Sequence, residues 1–442
     1  MSERITARIY NGTRDFLPAE MLRREALLET LRSAFQLYGF APVETPAMEY
    51  LEILLGKYGD DEKLIYKLDY RNDDPSRRLA LRYDHTVPLA RLVACNPELP
   101  LPFKRYQFQP VWRADRPQPR QGRFREFWQC DIDTIGSASL MADAEIIAAA
   151  DGLLAGLQLP DYRIRLNHRG LLAALVAWAG LPAGQEAAVC GAIDKLDKVG
   201  LDGVRRELDT AVGAGSAVDK LLERLAVPVS MATLPELRSL DTGDGRASRA
   251  VDELLELNEL LGSLGVNRAN VAFDLYLARG LSYYTGPIFE TVIPSLPHMG
   301  SIMGGGRYDS LIGLYLGREM PATGLTMGLD RILAALAQLG ETQSRQTPAR
   351  VLVTRSFAET DHAAIELAGE LRRAGIPTEL ALEAGRLKKQ FALADRKGIP
   401  HVITLGPDEQ ARGLLTLKTL ADGTQRALSL ADAIRELGGS PR

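Results

Sequence analysis

The segment 103–136 constrains the fold of this chain more than any other. Two stretches with strand-like alternation, FKRYQFQPVWRAD and RFREFWQCDIDTIG, flank the turn-forming run RPQPRQG, and this pattern predicts a β-hairpin. Side chains alternate faces along a strand, so one face of the second strand carries six residues: Arg123, Arg125, Phe127, Gln129, Asp131 and Asp133. Trp128, Cys130 and Ile132 then form the apolar face.

The order of side chains along this hairpin suggests a nucleotide site. Arg113 and Asp115 share a face of the first strand, and arginines near the turn suit phosphate oxygens because guanidinium groups bind them in bidentate fashion. Phe127 could stack on a purine, and Asp133 could accept a hydrogen bond from a nitrogen that carries a proton. A solvated hairpin with weak surface salt bridges is the alternative. The graded order, with its aromatic residue, favours the nucleotide site.

Composition limits the class of protein. The length of 442 residues predicts two or three domains. A formal net charge of −4 argues against a protein that coats nucleic acid, but it leaves room for a local basic groove. The three separated cysteines include no CxxC pair, which argues against a disulfide framework or a zinc site. Neither a signal region nor a bilayer-spanning apolar stretch is present in the sequence, so we expect a cytoplasmic enzyme.

Hydrophobic periodicity predicts the order of the elements. A helix with Leu27, Leu31 and Phe35 on one stripe begins near Pro18 and ends before Gly39. Strand-like segments over 79–136 predict an antiparallel sheet, and two helices flank the strand YRIRLN. The segment 185–265 is helix-forming and predicts a helical insertion. Strand signals then return from NVAFDLYLA to PIFETVI.

These elements predict two domains. Residues 1–340 are expected to form an α+β domain, in which helices flank an antiparallel sheet. The polar, proline-containing run ETQSRQTPAR predicts a linker at 341–349. The β-α-β-α-β series over 350–442 predicts a smaller α/β domain with a mixed, mostly parallel sheet.

The segment FDLYLARGLSYYTGPIFE is a second candidate for chemistry. Arg279 stands in an apolar stretch, where a buried arginine needs an anionic partner. Tyr283 and Tyr284 follow it and could present a phenol to a pocket. An aromatic core strand with a paired arginine is the alternative interpretation.

Two shorter segments end strands with polar residues. GLTMGLDRILAAL predicts a strand leading into a helix whose first turn holds Arg331, a position that favours anions. LALRYDHTVPLARL places Asp84, His85 and Thr86 directly after a strand, although a lone histidine is more often structural than catalytic. The five histidines show no catalytic-triad or metal-ligand spacing, so covalent nucleophilic catalysis is not indicated.

Taken in this order, the segments resemble those of class II aminoacyl-tRNA synthetases. GTRDFLP…YGFAPVETP is similar to the first motif of the class, which builds a dimer interface. The hairpin segment resembles the second motif, and GLTMGLDR resembles the third. LARGLSYYTG and LRYDHT are similar to elements of the histidyl-tRNA synthetase family. The resemblance extends over nearly the whole chain, including a tail like the anticodon-binding domain of that family.

The resemblance implies ATP as a substrate and assigns its contacts. Arg113 would hold the α-phosphate, while Arg123 and Arg331 would hold the γ-phosphate. Asp115 would contact the adenine amino group, and Phe127 would stack on the adenine ring. Mg²⁺ would help to offset the phosphate charge, and no protein side chains are assigned as metal ligands.

The resemblance also assigns histidine-binding residues. Asp84, Thr86 and Gln129 would bind the α-ammonium group, whereas Asp133 and Tyr284, with Tyr283 nearby, would bind the imidazole. Arg279 would act with Arg113 at the reacting carboxylate and α-phosphate. Two departures stand close to these positions: His85 replaces a common leucine, and Ser282 replaces aspartate or asparagine. A third departure is Asp115, where bacterial members have glutamate.

The implied activity is the ligation of histidine to its cognate tRNA through a histidyl-adenylate, by a homodimer without a membrane partner. The helical insertion would meet the tRNA acceptor stem, and the basic segment RLKKQFALADRKGIP would meet its phosphate backbone. One alternative is a catalytically silent paralogue that regulates ATP phosphoribosyltransferase. Such paralogues usually lack the tail and lose catalytic arginines, whereas this chain keeps both. A non-catalytic sensor of histidine or tRNA is a further alternative.

Overall fold

The computed structural model describes residues 5–69, 77–159, 161–182, 184–278, 283–340 and 345–439. The chain divides into two compact units, Met1–Arg14 with Leu28–Glu341 and Asp15–Leu27 with Thr342–Arg442. Helix α1 (Pro18–Leu37) begins at the predicted proline. It ends just before Gly39, whose φ of +76° is a left-handed conformation that suits glycine.

Within the described ranges, the first unit contains a sheet of eight strands and a sheet of three. In chain order the strands are β1 (Ala41–Pro42), β2 (Met48–Tyr50), β3 (Lys67–Leu68), β4 (Leu79–Leu81), β5 (Phe103–Trp112), β6 (Glu126–Ile135), β7 (Arg163–His168), β8 (Val271–Phe273), β9 (Pro287–Val292), β10 (Ser301–Arg307) and β11 (Ala322–Gly328). The large sheet has the order β1-β5-β6-β11-β10-β9-β7-β8, and β2, β4 and β3 form the small one. In the large sheet, β1 with β5 and β7 with β8 pair in parallel and the other neighbours are antiparallel. The predicted antiparallel sheet flanked by helices is confirmed.

Helices cover this sheet and build the insertion. They are α2 (Leu51–Leu54), α3 (Thr86–Cys95), α4 (Leu140–Gly156), α5 (Arg169–Ala179), α6 (Glu186–Ile193), α7 (Leu196–Val212), α8 (Ser216–Leu225), α9 (Arg246–Ser263), α10 (Gly313–Leu316) and α11 (Leu329–Gln338). Helix α4 packs on β6 and β11, and α9 packs on α4 and α5. The predicted helical character of 185–265 is confirmed by α6 to α9.

The hairpin forms with the predicted pairing, but β6 begins later than expected. Its register runs from Phe103 opposite Ile135 to Trp112 opposite Glu126. Arg123 and Arg125 therefore precede the strand, so the expected polar face does not extend to them. Of the rest of that face, Phe127 is half-buried, whereas Gln129, Asp131 and Asp133 are buried because β6 is an inner strand of the sheet.

The strand predicted in NVAFDLYLA is shorter than expected. It ends at Phe273, and Asp274 begins a turn in which its Oδ1 accepts a hydrogen bond from the Tyr276 amide at 2.9 Å. Aspartate side chains stabilise such turns by bonding to the backbone two residues ahead. The local hydrogen bond therefore ends the strand despite the apolar residues that follow.

The second unit contains a five-stranded mixed sheet in the described residues. Its strands are β12 (Val351–Val353), β13 (Thr378–Leu380), β14 (His401–Thr404), β15 (Leu415–Thr419) and β16 (Gln425–Leu428), in the order β13-β12-β14-β15-β16. The first three are parallel and the last two are antiparallel. The helices are α12 (Asp361–Arg373), α13 (Leu387–Lys397), α14 (Pro407–Ala411) and α15 (Leu430–Glu436). The predicted α/β series with a mixed sheet is confirmed.

Candidate active site

One cavity of about 380 Å³ in the first unit collects residues from separate parts of the chain. Six residues singled out from the sequence line it: Asp84, Thr86, Arg113, Tyr283, Tyr284 and Arg331. They come from the start of α3, the end of β5, the segment before β9 and the first turn of α11. The fold thus places two predicted phosphate ligands and four predicted amino-acid ligands around one space.

The start of α3 forms one wall of the cavity. Asp84 is 3% exposed, and its Oδ1 accepts hydrogen bonds from the Tyr58 hydroxyl at 2.9 Å and the Val87 amide at 3.1 Å. Burial raises the pKa of Asp84 to about 6, against the opposing effects of the Val87 amide and Arg113. At neutral pH, Asp84 therefore offers a carboxylate to a cationic ligand group.

Replacing Asp84 with asparagine tests this buried charge. Its pKa rises from 3.8 to about 6 on folding, so Asp84 contributes stability that is present at low pH and is lost as the pH rises through about 6. At pH 7.5 the ionised carboxylate destabilises the fold, and we expect the Asp84→Asn variant of the ligand-free protein to be more stable by ~1–2 kcal/mol. At pH 4.5, which lies between the unfolded and folded pKa values, the gain should fall to about one third of its size at pH 7.5. Thermal unfolding at both pH values measures the difference, and an equal shift at both would exclude ionisation as its cause.

Arg113 lies between two aromatic rings at the end of β5. Its Nε donates to the backbone oxygen of Tyr83 at 3.1 Å, and its guanidinium carbon is 4.2 Å from the Tyr83 ring centroid and 5.3 Å from that of Phe127. Such cation–π contacts orient a guanidinium group while leaving its edge available. Arg113 is therefore held in place at the cavity beside Phe127, the predicted adenine platform.

The tip of the hairpin packs on the start of α11. An added Cβ at Gly122 would lie 2.8 Å from Cα of Arg331, and the φ of Gly122 is +66°. Both facts require glycine here. Asp330 strengthens this junction, because it pairs with Arg14 and its Oδ2 accepts from the Trp128 amide at 3.2 Å. The Arg331 guanidinium donates to the Met299 backbone oxygen and lines the cavity.

Asp133 lies in a buried polar cluster and is not among the residues that line this cavity. Its carboxylate pairs with Arg105 at 2.6 Å and accepts a hydrogen bond from the Tyr308 hydroxyl. Burial raises the pKa of Asp133 to about 6, although Arg105 opposes this. Burial raises the pKa of Tyr284, and the nearby charge of Asp133 raises it further. Asp133 therefore acts electrostatically on a residue of the cavity wall.

The remaining predicted residues lie at different places around the hairpin. Asp115 is exposed, and its Oδ1 accepts from the Arg116 amide at 2.7 Å. Arg123 belongs to the connection, where its amide donates to the Gln118 oxygen at 3.1 Å. Gln129 is buried in β6 opposite Gly328, which does line the cavity. The Arg279 prediction, like the Ser282 departure, lies outside the described residues.

Several residues of the site escaped the sequence analysis. Glu290, Ser301 and Thr326 line the cavity from β9, β10 and β11. Arg105 and Tyr308 support Asp133 from behind. The sequence did contain one indication that Glu290 has a functional role. It is a single carboxylate inside the apolar run PIFETV, and charged residues are depleted from buried strands.

A second cavity of about 780 Å³ shares Tyr284 with the first. Four arginines line it from β10, the start of α5 and the start of α9: Arg169, Arg246, Arg249 and Arg307. Of these, Arg307 is buried and pairs with Asp143. Arg246 and Arg249 belong to the helical segment 185–265, so this cavity lies where that segment meets the sheet.

Two classes of feature are missing from the described ranges. No cluster of three or more histidine, cysteine or carboxylate residues suited to a metal ion occurs among them. In the same residues, no helix is long and apolar enough to cross a membrane.

Known proteins resemble this chain in both sequence and structure. A sequence profile described as histidyl-tRNA synthetase matches residues 12–332, and one described as anticodon binding domain matches residues 341–439. The histidine–tRNA ligase of Cytophaga hutchinsonii is 40% identical over 448 residues, which cover 96% of this chain and 98% of the relative. The crystal structure of histidyl-tRNA synthetase from a Nostoc species has a TM-score of 0.86 at 32% identity and covers 98% of this chain and 99% of that one.

A further structure is described as an ATP phosphoribosyltransferase regulatory subunit/histidyl-tRNA synthetase from Bacillus halodurans. It has a TM-score of 0.72 at 26% identity, over 89% of this chain and 97% of that chain. The antiparallel sheet, the arginine-bearing hairpin and the strand–helix unit with Arg331 define a class II aminoacyl-tRNA synthetase. Within that class, the matching profile and the full-length relatives all point to the synthetases for histidine. The chain belongs to the histidyl-tRNA synthetase family.

Proposed function

We propose that this chain ligates L-histidine to its cognate tRNA in an ATP-dependent reaction that passes through a histidyl-adenylate. The observation that carries the proposal is the shared cavity, whose lining includes Arg113 and Arg331 together with Asp84, Tyr283 and Tyr284. Cations suit a triphosphate, and an adjacent carboxylate suits an α-ammonium group. Membership of the histidyl-tRNA synthetase family supports the same assignment.

For ATP, we assign the α-phosphate to Arg113 and the γ-phosphate to Arg123 and Arg331. Phe127 is the stacking platform for adenine, because it already lies beside the Arg113 guanidinium. Asp115 is the acceptor for the adenine amino group. Its exposed position at the rim of the hairpin is compatible with a contact that forms when the nucleotide binds.

For histidine, we assign the α-ammonium group to Asp84, Thr86 and Gln129. We assign Tyr284 to a direct hydrogen bond with the imidazole. The Tyr283 ring lies beside it, at a ring-centroid distance of 4.9 Å. Asp133 would read the second imidazole nitrogen, and its burial behind the wall requires either a small shift or an approach by the ligand. A site that hydrogen-bonds a polar side chain rejects analogues that lack the polar group by ~10⁴-fold or more.

Mg²⁺ fits the oxygen donors of this cavity. Mg²⁺ prefers one or two carboxylates together with substrate phosphates, and Glu290, Ser301 and Thr326 supply a carboxylate and two hydroxyl groups at the lining. The side chains of Glu290 and Ser301 lie on the same side of Gly304, where an added Cβ would be 3.5 Å and 3.9 Å from them. When bound, the ion would neutralise phosphate charge.

The chemistry needs no protein nucleophile. The carboxylate of histidine attacks the α-phosphorus of ATP and releases pyrophosphate, and a ribose hydroxyl at the 3′ end of the tRNA then attacks the activated carbonyl. The protein positions these groups and stabilises the charge that develops on the phosphate. Arg113 has this second role, and we retain Arg279 as its proposed partner.

The tRNA would contact both units. In the second unit, α13 carries exposed basic residues that suit a phosphate backbone: Lys388, Lys389, Arg396 and Lys397. In the first unit, the arginine-lined cavity borders the active site at Tyr284. We assign this cavity to the acceptor end, and the helical insertion contributes two of its arginines.

Removing Arg246 and Arg249 together tests the assignment. We expect the double alanine variant to raise the KM for tRNA about tenfold, because two phosphate-binding charges are lost. Histidine-dependent ATP–pyrophosphate exchange, which needs no tRNA, should stay within about twofold of wild type. A matched variant, Arg205→Ala with Arg238→Ala, removes the same charge from exposed ion pairs of the insertion. An equal rise in KM in that variant would reject a specific role for the cavity.

We further propose a homodimer that works in the cytoplasm. Large apolar side chains are exposed near the segment that resembles the first class II motif, including Met48 at 56% and Tyr50 at 51%. Exposed apolar patches of this kind mark protein interfaces. They support burial against a second copy.

One assay separates this function from that of a regulatory paralogue. We expect ATP–pyrophosphate exchange that depends on histidine among the twenty amino acids, followed by charging of tRNA. Exchange without charging, or no exchange, would support the paralogue, and exchange with another amino acid would overturn the specificity. The matched anticodon-binding domain and the presence of Arg113 and Arg331 favour the synthetase.

A further inference from the structure

His85 and Asp131 form a buried pair directly behind the α3 wall of the cavity. His85 is 0% exposed, and its Nδ1 lies 3.1 Å from Oδ2 of Asp131 on β6. The residues on either side of His85, Asp84 and Thr86, both line the cavity. The pair therefore joins the first turn of α3 to a strand of the large sheet.

Asp131 depends on this contact because its carboxylate is buried. A buried charge needs a partner, and the nearby arginines are engaged elsewhere. Arg82 donates to backbone carbonyl groups and an amide oxygen, and Arg105 pairs with Asp133. Among the described residues, no arginine or lysine pairs with Asp131. Leucine at position 85 would offer the Asp131 carboxylate no polar atom.

The charge state of the pair follows from its surroundings. Burial lowers the pKa of His85, assisted by Arg105 and Arg82 and opposed by Asp131. The imidazole is therefore neutral at pH 7, and its Nδ1 lies 3.1 Å from the Asp131 carboxylate in a close contact that is not an aligned hydrogen bond. The charge of Asp131 also raises the pKa of Asp84 and of Asp133. The pair is thus linked to both acidic groups assigned to histidine.

We propose that His85 is a positioning residue for the amino-acid substrate. Its contact with Asp131 fixes the first turn of α3 against β6, so that Asp84 and Thr86 stay in place to receive the α-ammonium group. The inference rests on the proposed function, since it takes the assignment of Asp84 and Thr86 to histidine as given. His85 itself does not touch the substrate.

Three substitutions of His85 test the proposal by ATP–pyrophosphate exchange. His85→Leu removes the imidazole and leaves the buried Asp131 carboxylate without its polar neighbour, and we expect the KM for histidine to rise about tenfold, equivalent to ~1.4 kcal/mol. The KM for ATP should change by less than about twofold, because the phosphate ligands lie elsewhere. Asparagine places an amide N–H close to the position of Nδ1, so His85→Asn should restore the KM for histidine to within about threefold of wild type. Glutamine places its amide near Nε2, so His85→Gln should resemble His85→Leu.

A matched control separates positioning from general damage. Tyr162→Phe removes another buried contact to a carboxylate, 2.8 Å from the Tyr162 hydroxyl to Oδ1 of Asp151, and neither residue lines the first or the second cavity. We expect this variant to keep the KM for histidine. If His85→Leu does not fold, the difference in the KM for histidine between His85→Asn and His85→Gln still tests the proposal.

The outcomes that overturn the proposal are specific. They are an unchanged KM for histidine in folded His85→Leu, an equal rise in the KM for both substrates, or equal behaviour of the asparagine and glutamine variants. Wild-type protein is measured first. If it lacks histidine-dependent exchange, the proposed function has failed, which is a different result from any of these three.

Discussion

Replacing Arg113 with alanine is expected to lower the rate of histidine-dependent ATP–pyrophosphate exchange by ~10²–10³-fold, in line with the loss of one charge-stabilising donor in other active sites. Arg113 lines the cavity, and its guanidinium group is held between the rings of Tyr83 and Phe127. No solvent molecule could replace a cation fixed in this way at the developing phosphate charge. The decrease should appear mainly in kcat, because the contact strengthens as the phosphorus is attacked.

Arg116→Ala is the matched control. Arg116 lies three residues further along the same connection and is exposed, so its removal changes the net charge equally. We expect exchange in this control to stay within about twofold of wild type, as is usual for exposed substitutions away from a site. A loss of less than about fivefold in Arg113→Ala would contradict the role of Arg113 at the α-phosphate.

Gly324→Ala is expected to have the second large effect, on both stability and histidine binding. An added Cβ at Gly324 would overlap the Asp133 carboxylate, at 2.6 Å from Cγ, and would lie 3.0 Å from the Ile132 backbone oxygen. Asp133 would have to leave its contacts with Arg105 and Tyr308. Breaking a buried ion pair costs ~3–5 kcal/mol, so we expect a clear decrease in the melting temperature. The KM for histidine should rise at least about tenfold, because the imidazole pocket loses its shape.

The control for this substitution is Gly191→Ala in α6. An added Cβ there meets nothing within 4 Å, and alanine favours helices over glycine by ~1 kcal/mol. This variant should be as stable as wild type or slightly more so. If Gly324→Ala keeps the wild-type melting temperature and KM for histidine, then Asp133 is not held where the structure places it.

Local patterns in the sequence were sufficient for much of the fold. Alternation on both sides of a proline- and glycine-rich turn predicted the hairpin of β5 and β6, and the strand–helix unit with Arg331 formed as expected. These predictions succeeded because strand and helix periodicity depend on near neighbours along the chain. The end of β8 was missed, since the Asp274 turn replaces strand pairing by a single side-chain hydrogen bond.

Only part of the candidate site could be predicted from the sequence. Six of the residues chosen from motifs line one cavity. Each of them lies at or next to the end of a helix or strand, and these ends meet at the cavity. Glu290 was missed because a lone carboxylate in an apolar strand has no motif. Its neighbours across the sheet, on β10 and β11, come from later parts of the chain.

The sequence by itself determined most of the elements and their order, the faces of the side chains within the strands that formed, and the family to which the chain belongs. Only the tertiary structure decided which groups are buried together: Asp133 with Arg105 and Tyr308, and His85 with Asp131. The physical reason is that periodicity defines the face of a strand but not the element that covers it. The charge of a buried group then depends on that covering element, through burial and through partners far away in the sequence.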